Sequence, residues 1–325
     1  MSNQSNKFAK LCLGGSTLGW SANVRNSIKI LDYYYSNGGW IIDTSDFYSE
    51  WVPGNLGGES ENIIGKWLSS NSHRDKLRII TKVGLSSRRL GFEKTNILKA
   101  AEDSLRRLRT DFIDTYMPHR DLSYSEQDKF SEAIITLYRA GKIRSAGFSH
   151  CSYETIERVS NILIDSQVPL TVIESNYNLL EREGSQRVID LAKRLGMQFM
   201  SARGLAGGFL AGKYAAGSSQ FERVLQGSFS HLFSRGVTAF RKGYRASMNS
   251  ASVSAYLNPQ NATKIEILDS LARKYETNPS SVVFSWLISQ PGIDLTCISF
   301  RNVRQAKGIR KVEISEADLF QLSNL

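Results

Sequence analysis

Residues 24–44 read VRNSIKILDYYYSNGGWIIDT, and they contain one whole α/β repeat. The amphipathic stretch 24–35 reads as a helix. Gly38–Gly39 stops it, as left-handed C-caps do. The apolar run that follows, 40–44, reads as a strand buried on both faces, the pattern of a parallel sheet covered by helices. The run TVIE at 171–174 has the same character.

The alternation extends in both directions. Strands are expected over 10–13, 40–44, 77–82, 112–117, 143–147, 170–174, 198–201 and 295–299. Helices are expected over 24–35, 60–69, 94–108, 128–140, 153–163, 184–195, 263–275 and 280–289. Ala101, Leu105 and Leu108 fall at i, i+4 and i+7, one buried helical face. No Pro-, Ser- or Gly-rich linker divides the repeats, so 1–325 is expected to form a single α/β domain, a closed (β/α)8 TIM barrel. A doubly wound sheet is the competing arrangement, but LGGSTLG at 13–19 lacks its glycine fingerprint. Two segments fit no repeat, 48–59 and 213–260, and in a barrel both emerge at the C-terminal face, where active sites sit.

Composition agrees. The 325 residues, 41% hydrophobic and 22% charged, suffice for a barrel of about 250 residues with long loops. No apolar run approaches the ~20 residues that span a bilayer, so no membrane partner is expected. The polar opening 1–7 gives no sign of a secretory leader. Three cysteines, Cys12, Cys151 and Cys297, are too few and dispersed for a disulfide framework or a zinc site. A cytoplasmic setting and no metal are the expectations. The net charge of +10 is spread along the chain without interleaved stacking aromatics, so no nucleic-acid partner is expected.

The strand ends carry the chemistry. Strand two ends in Asp43, with Tyr48 just beyond, the third in Lys82, and the fourth runs into His119. An acid, a phenol, an amine and an imidazole thus meet on one rim. Together they suit proton delivery to a carbonyl oxygen. A phenol at pKa about 10 is a slow donor. Lys82 is expected to lower that value, Asp43 to pair with Lys82, and His119 to polarise the carbonyl. Hydride transfer would then need a cofactor bound without a Rossmann loop.

The run GWIIDTSDFY at 39–48 resembles the aldo-keto reductase signature in which a strand-end Asp precedes the catalytic Tyr. The likeness continues through GGESENIIGKWL (57–68), IITKVG (79–84), SLRRLRTDFIDTYMPHR (104–120), IRSAGFSH (143–150), NYNLLER (176–182) and GGFLAGKY (207–214). SEWVPGNLGGESE at 49–61 further resembles a bacterial subgroup that extends the loop after the Tyr. The resemblance implies Tyr48 as general acid, with Asp43, Lys82 and His119 completing a tetrad. It also implies NADPH, less often NADH, lying extended across the barrel mouth. Ser149, His150 and Glu174 fall at the nicotinamide carboxamide, and Ala202 and Arg203 beside the ring. Gly204, Leu205, Gly207 and Lys213 fall near the pyrophosphate, and Ser299, Arg301 and Gln305 at the adenosine end. Arg301 suits a 2′-phosphate, which a guanidinium binds bidentately.

Departures from the family accompany these matches. His150 replaces the usual Asn, Glu174 the usual Gln, and Ala202 a stacking aromatic; Gly308 and Ile309 replace a Glu–Asn pair. Trp20, Phe47 and Trp51, nearest the tetrad, are expected to line the substrate. Arg223, Arg235, Arg241 and Lys242 lie in the long late loop and are read as solvated or cofactor-facing. The expected activity is NADPH-dependent reduction of an aldehyde or ketone, keto-sugars and other specialised-metabolite carbonyls included. The changed carboxamide pocket supports an alternative, a cofactor-binding, redox-sensing regulatory subunit with little turnover.

Overall fold

The computed structural model describes residues 7–212, 256 and 259–325. Lys213, Arg223, Arg235, Arg241 and Lys242 lie outside the described residues, as does nearly all of 213–260. The chain carries strands β1 Leu11–Gly14, β2 Ile41–Asp43, β3 Arg78–Val83, β4 Ile113–Pro118, β5 Ile143–Ser149, β6 Leu170–Asn176, β7 Gln198–Ala202 and β8 Leu295–Ile298. They pair in parallel around a closed barrel, β8 returning to β1 through Cys12 opposite Cys297. The (β/α)8 barrel read from the alternation is the fold observed.

The described helices are α1 Val24–Ser36, α2 Glu59–Ser69, α3 Lys94–Leu108, α4 Tyr124–Arg139, α5 Tyr153–Asp165, α6 Ser185–Arg194, α7 Pro259–Lys274, α8 Pro279–Ser289, α9 Val303–Gly308 and α10 Glu316–Ser323. Helix α4 starts four residues earlier than the apolar periodicity suggests. Ser123 and Glu126 form a reciprocal capping box there, which satisfies two free N–H groups of the first turn. Apolar periodicity alone does not mark helices α9 and α10. They are short, and their capping side chains rather than a long apolar stripe mark them, Asn302 accepting from Gln305 N and Ser315 from Asp318 N.

The described residues fall into two compact units. One is the chain up to Asn176 with Glu183–Ala202 and Pro291–Lys307, and it holds all eight strands. The other is Tyr177–Arg182, the stretch from Arg203 to Gln290, and Gly308–Leu325. Its core gathers Phe209, Leu268, Val283 and Trp286 around α7 and α8.

Inside the barrel, Cys12, Ile41, Ile80, Met117, Val172, Met200 and Leu295 form one buried apolar layer. Side chains alternate along a strand with period two. Two residues onward, toward the strand C-termini, the same inward positions are therefore Gly14, Asp43, Lys82, His119, Glu174, Ala202 and Cys297. The apolar layer is the floor on which the polar one stands. Close packing outside the barrel holds it in register: a Cβ on Gly65 of α2 would lie 2.1 Å from the Arg107 carbonyl of α3, so only glycine lets those helices approach.

Candidate active site

Asp43, Lys82 and Tyr48 meet in one hydrogen-bonded cluster. Lys82 Nζ donates to Asp43 Oδ1, to the Thr44 carbonyl at 3.3 Å and to Tyr48 Oη at 3.1 Å. Tyr48 Oη in turn donates to Asp43 Oδ2 at 3.2 Å. A second carboxylate joins them, Glu174 Oε2 lying 3.2 Å from Lys82 Nζ. The three ammonium hydrogens already have partners, and Glu174 Oε2 receives no well-directed hydrogen bond, so this contact is chiefly Coulombic.

The electrostatics follow from burial. Burial acts against the Lys82 charge, but Asp43 and Glu174 outweigh it, and its pKa stands well above the usual lysine value. Asp43 is pushed up to about 7, by burial first and Glu174 next, with Lys82 opposing. The sequence suggested a Tyr48 phenol lowered by Lys82. The structure reverses this: burial and the Asp43 carboxylate raise it well above 10, and Lys82 offsets only part. Tyr48 is thus held as the neutral phenol. His119 is driven well below 6.5 by burial, then by Lys82 and His150, and is a neutral imidazole.

The aromatic trio also comes together. Trp20 packs edge-on to Trp51 at 5.5 Å between ring centroids, and Phe47 lies 5.3 Å from Trp51. Tyr48 and His119 rings stand 5.4 Å apart. The loop carrying Trp51 is tied down by Ser49 Oγ donating to the Leu18 carbonyl and Asn55 Nδ2 to the Ser49 carbonyl.

Other expected residues distribute as follows. Ser149 ends β5 opposite Glu174 of β6, is fully buried, and its Oγ meets no protein partner among the described residues. Asn176 Oδ1 at the end of β6 is likewise unpaired. His150 is exposed in a left-handed conformation, φ 52°. Ala202 is buried opposite Asn176. Ser299 Oγ lies 3.0 Å from Ser16 Oγ, a close approach that needs Gly14, where a Cβ would fall 2.4 Å from Ser299 Oγ. Gln305 Oε1 accepts from Arg301 N at 2.7 Å, so it serves the turn before α9. Among the described residues the Arg301 guanidinium has no acidic partner. Arg203, Gly204, Leu205 and Gly207 belong to the second unit. There Arg203 is left-handed, its guanidinium 5.7 Å from the Tyr256 ring centre.

Several residues of the site escaped the sequence reading. Ser45 Oγ lies 2.8 Å from His119 Nδ1, and buried Asp46 stands beside Ser45. Their signal was present: a run of consecutive polar residues, Asp43 to Asp46, at the end of a fully buried strand. Buried Glu61 accepts from Thr81 Oγ1 and Arg107 Nε, both at 2.6 Å, and fixes α2 to β3 and α3. Donor atoms of Asp43, Glu174 and Cys297 lie within 4.8 Å of one another, and the Lys82 ammonium already contacts both carboxylates of this group.

A sequence model of the Aldo/keto reductase family matches residues 10–321. The chain belongs to that family. Similar proteins include an uncharacterized oxidoreductase, YrpG, of Bacillus subtilis, 26% identical over 95% of this chain and 89% of its own length. Protein tas of Escherichia coli is 26% identical over 93% of this chain and 88% of its own. Aldo-keto reductase YhdN of B. subtilis is 26% identical over 92% and 82%. Membership makes the chain an oxidoreductase of the carbonyl-reducing kind, in a family that generally uses NAD(P)H. Among the described residues no helix is long and apolar enough to cross a membrane.

Proposed function

We propose that this aldo-keto reductase reduces an aldehyde or ketone to an alcohol with NADPH, Tyr48 giving the proton. The observation that carries the reading is the Tyr48 hydroxyl held by Lys82 and Asp43, with the Tyr48 ring 6.2 Å from that of Trp51, on which Phe47 and Trp20 pack. The reduced nicotinamide supplies the hydride. Ser149 Oγ and Asn176 Oδ1, buried and unpartnered, suit a carboxamide that both donates and accepts, and Arg301 suits a phosphate.

The chain supplies the rest. Charge gathering on the substrate oxygen draws the proton from Tyr48, whose 3.2 Å bond to Asp43 is long and readily exchanged for a stronger acceptor. Lys82, kept charged by its two carboxylates, stabilises the phenolate left behind. Neutral His119 polarises the carbonyl by hydrogen bonding. The rings and the buried Trp51 Nε1 donor, unpaired among the described residues, suit a ring-bearing or sugar-like carbonyl with its own acceptors.

The test is loss of nicotinamide absorbance with a panel of aldehydes, ketones and keto-sugars. Tyr48→Phe is expected to abolish turnover while still binding NADPH. Full activity in that variant overturns the assignment. Cofactor retained through purification with no turnover on any carbonyl would favour the sensing subunit instead.

A further inference from the structure

Behind His119 lies a second polar chain that the reaction described above does not use. Ser45 Oγ is 2.8 Å from His119 Nδ1 and 3.3 Å from Asp46 Oδ1, and it accepts from Phe47 N at 3.0 Å. Ser45 and Asp46 are buried, and Asp46 Oδ2 has no protein partner among the described residues. We propose that Asp46, acting through the Ser45 hydroxyl, is a positioning residue that decides which ring nitrogen of His119 carries the proton. The inference rests on the reading of His119 as the group that polarises the substrate carbonyl.

A hydroxyl donates once and accepts twice, and a neutral imidazole has one N–H and one bare nitrogen. Phe47 N fills one acceptor position of Ser45 in every state. With Asp46 protonated, its O–H fills the other, Ser45 donates to Nδ1, and the imidazole proton sits on Nε2, facing outward from the chain. With Asp46 ionised, the Ser45 hydrogen turns to the carboxylate, and Nδ1 must hold the proton and donate it to Ser45. Nε2 is then bare and repels a carbonyl oxygen. The imidazole keeps one proton throughout, and the only proton lost is the one Asp46 releases to solvent.

The surroundings put the change within reach of ordinary pH. Asp46 is faced by Glu61 from α2, Arg107 from α3, Glu50 from the adjoining loop and Tyr116 from β4. Burial, then Glu61, push its carboxyl up to about 8, with Arg107 opposing. His119 is faced by Lys82 from β3, by His150 after β5 and by the rings of Phe47 and Tyr48. Burial first, and then the two basic neighbours, keep it neutral, so its tautomer rather than its charge is what changes.

The full chain labelled with 15N-histidine, followed by long-range 1H–15N NMR from about pH 6 to about pH 10, reads the tautomer directly. Wild-type His119, assigned by comparison with His119→Gln, is expected to pass from Nε2–H to Nδ1–H near pH 8. Asp46→Asn, whose amide donates to Ser45 and does not titrate, should keep Nε2–H throughout, and Ser45→Ala should show no step. In parallel, wild-type turnover should fall several-fold from about pH 7 to about pH 9, and that of Asp46→Asn should not fall. One unchanging tautomer in the wild type, or an identical step in Asp46→Asn or Ser45→Ala, overturns the proposal. A tautomer step with no carbonyl turnover upholds the coupling and overturns the proposed reaction.

Discussion

Lys82 Nζ lies 3.2 Å from Glu174 Oε2 while its three hydrogens go to Asp43, the Thr44 carbonyl and Tyr48. One buried ammonium therefore faces two buried carboxylates, and the cluster holds a surplus negative charge whenever both are ionised. Burial first, and that surplus next, explain why the Asp43 carboxyl sits at about 7 despite its ion pair.

Replacing Glu174 by Gln removes the surplus. The Asp43 carboxyl should fall by about one pH unit, and the acid limb of the turnover profile should move down with it. A Gln amide also donates as well as accepts, so NADPH should bind roughly 3- to 10-fold tighter by fluorescence titration. An unmoved acid limb would show that Glu174 does not set the Asp43 charge.

Arg301 bears on cofactor choice. With no acidic partner among the described residues, its guanidinium is available for a 2′-phosphate. Arg301→Ala should erase most of the preference for NADPH over NADH, about a 10- to 150-fold change in the affinity ratio. Titrations of both cofactors at fixed salt measure it. Equal weakening of the two would mean that Arg301 holds some other part of the nucleotide.

Glu61 is fully buried and depends on Arg107. Arg107→Met leaves the carboxylate with Thr81 as its one remaining donor among the described residues, and unfolding free energy should drop by about 3 kcal/mol. Urea denaturation checks this. Glu61→Gln in the same chain should recover part of the loss, because the uncompensated charge is then gone.

Asp46 also links stability to pH. Its carboxyl is raised to about 8 in the folded chain, against about 3.9 unfolded. The folded state therefore binds the extra proton, and the resulting stability is complete below about pH 4 and is lost as pH rises toward about 8. Relative to Asp46→Asn, the wild type should lose on the order of 1 kcal/mol between about pH 7 and about pH 8, then level off. Parallel stability curves for the two proteins would mean that Asp46 is ionised throughout.

The barrel and the tetrad were legible along the chain. Runs such as IIDT and the glycines after helices are local signals, because a parallel strand buried on both faces must be apolar throughout and a helix must end somewhere its backbone can turn. Asp43, Lys82 and His119 were found because each marks a strand end, and strand ends share one rim in a barrel. Helix α4 was misjudged at its start because a capping box is set by two side chains and not by apolar period.

What the sequence by itself determined is the order of elements, the period that turns side chains inward, and the identity of the groups on the rim. Only the tertiary structure decided their electrostatic state. Burial depth and the company of other strands are three-dimensional quantities, so the chain alone did not reveal that Tyr48 is raised rather than lowered. Nor did it reveal that Glu174 faces Lys82 across the barrel, or that Ser45 reaches His119, 74 positions away. Each of these contacts joins residues on different strands or loops. Their distance is fixed by closure of the barrel and by the apolar layer beneath, which no local pattern encodes.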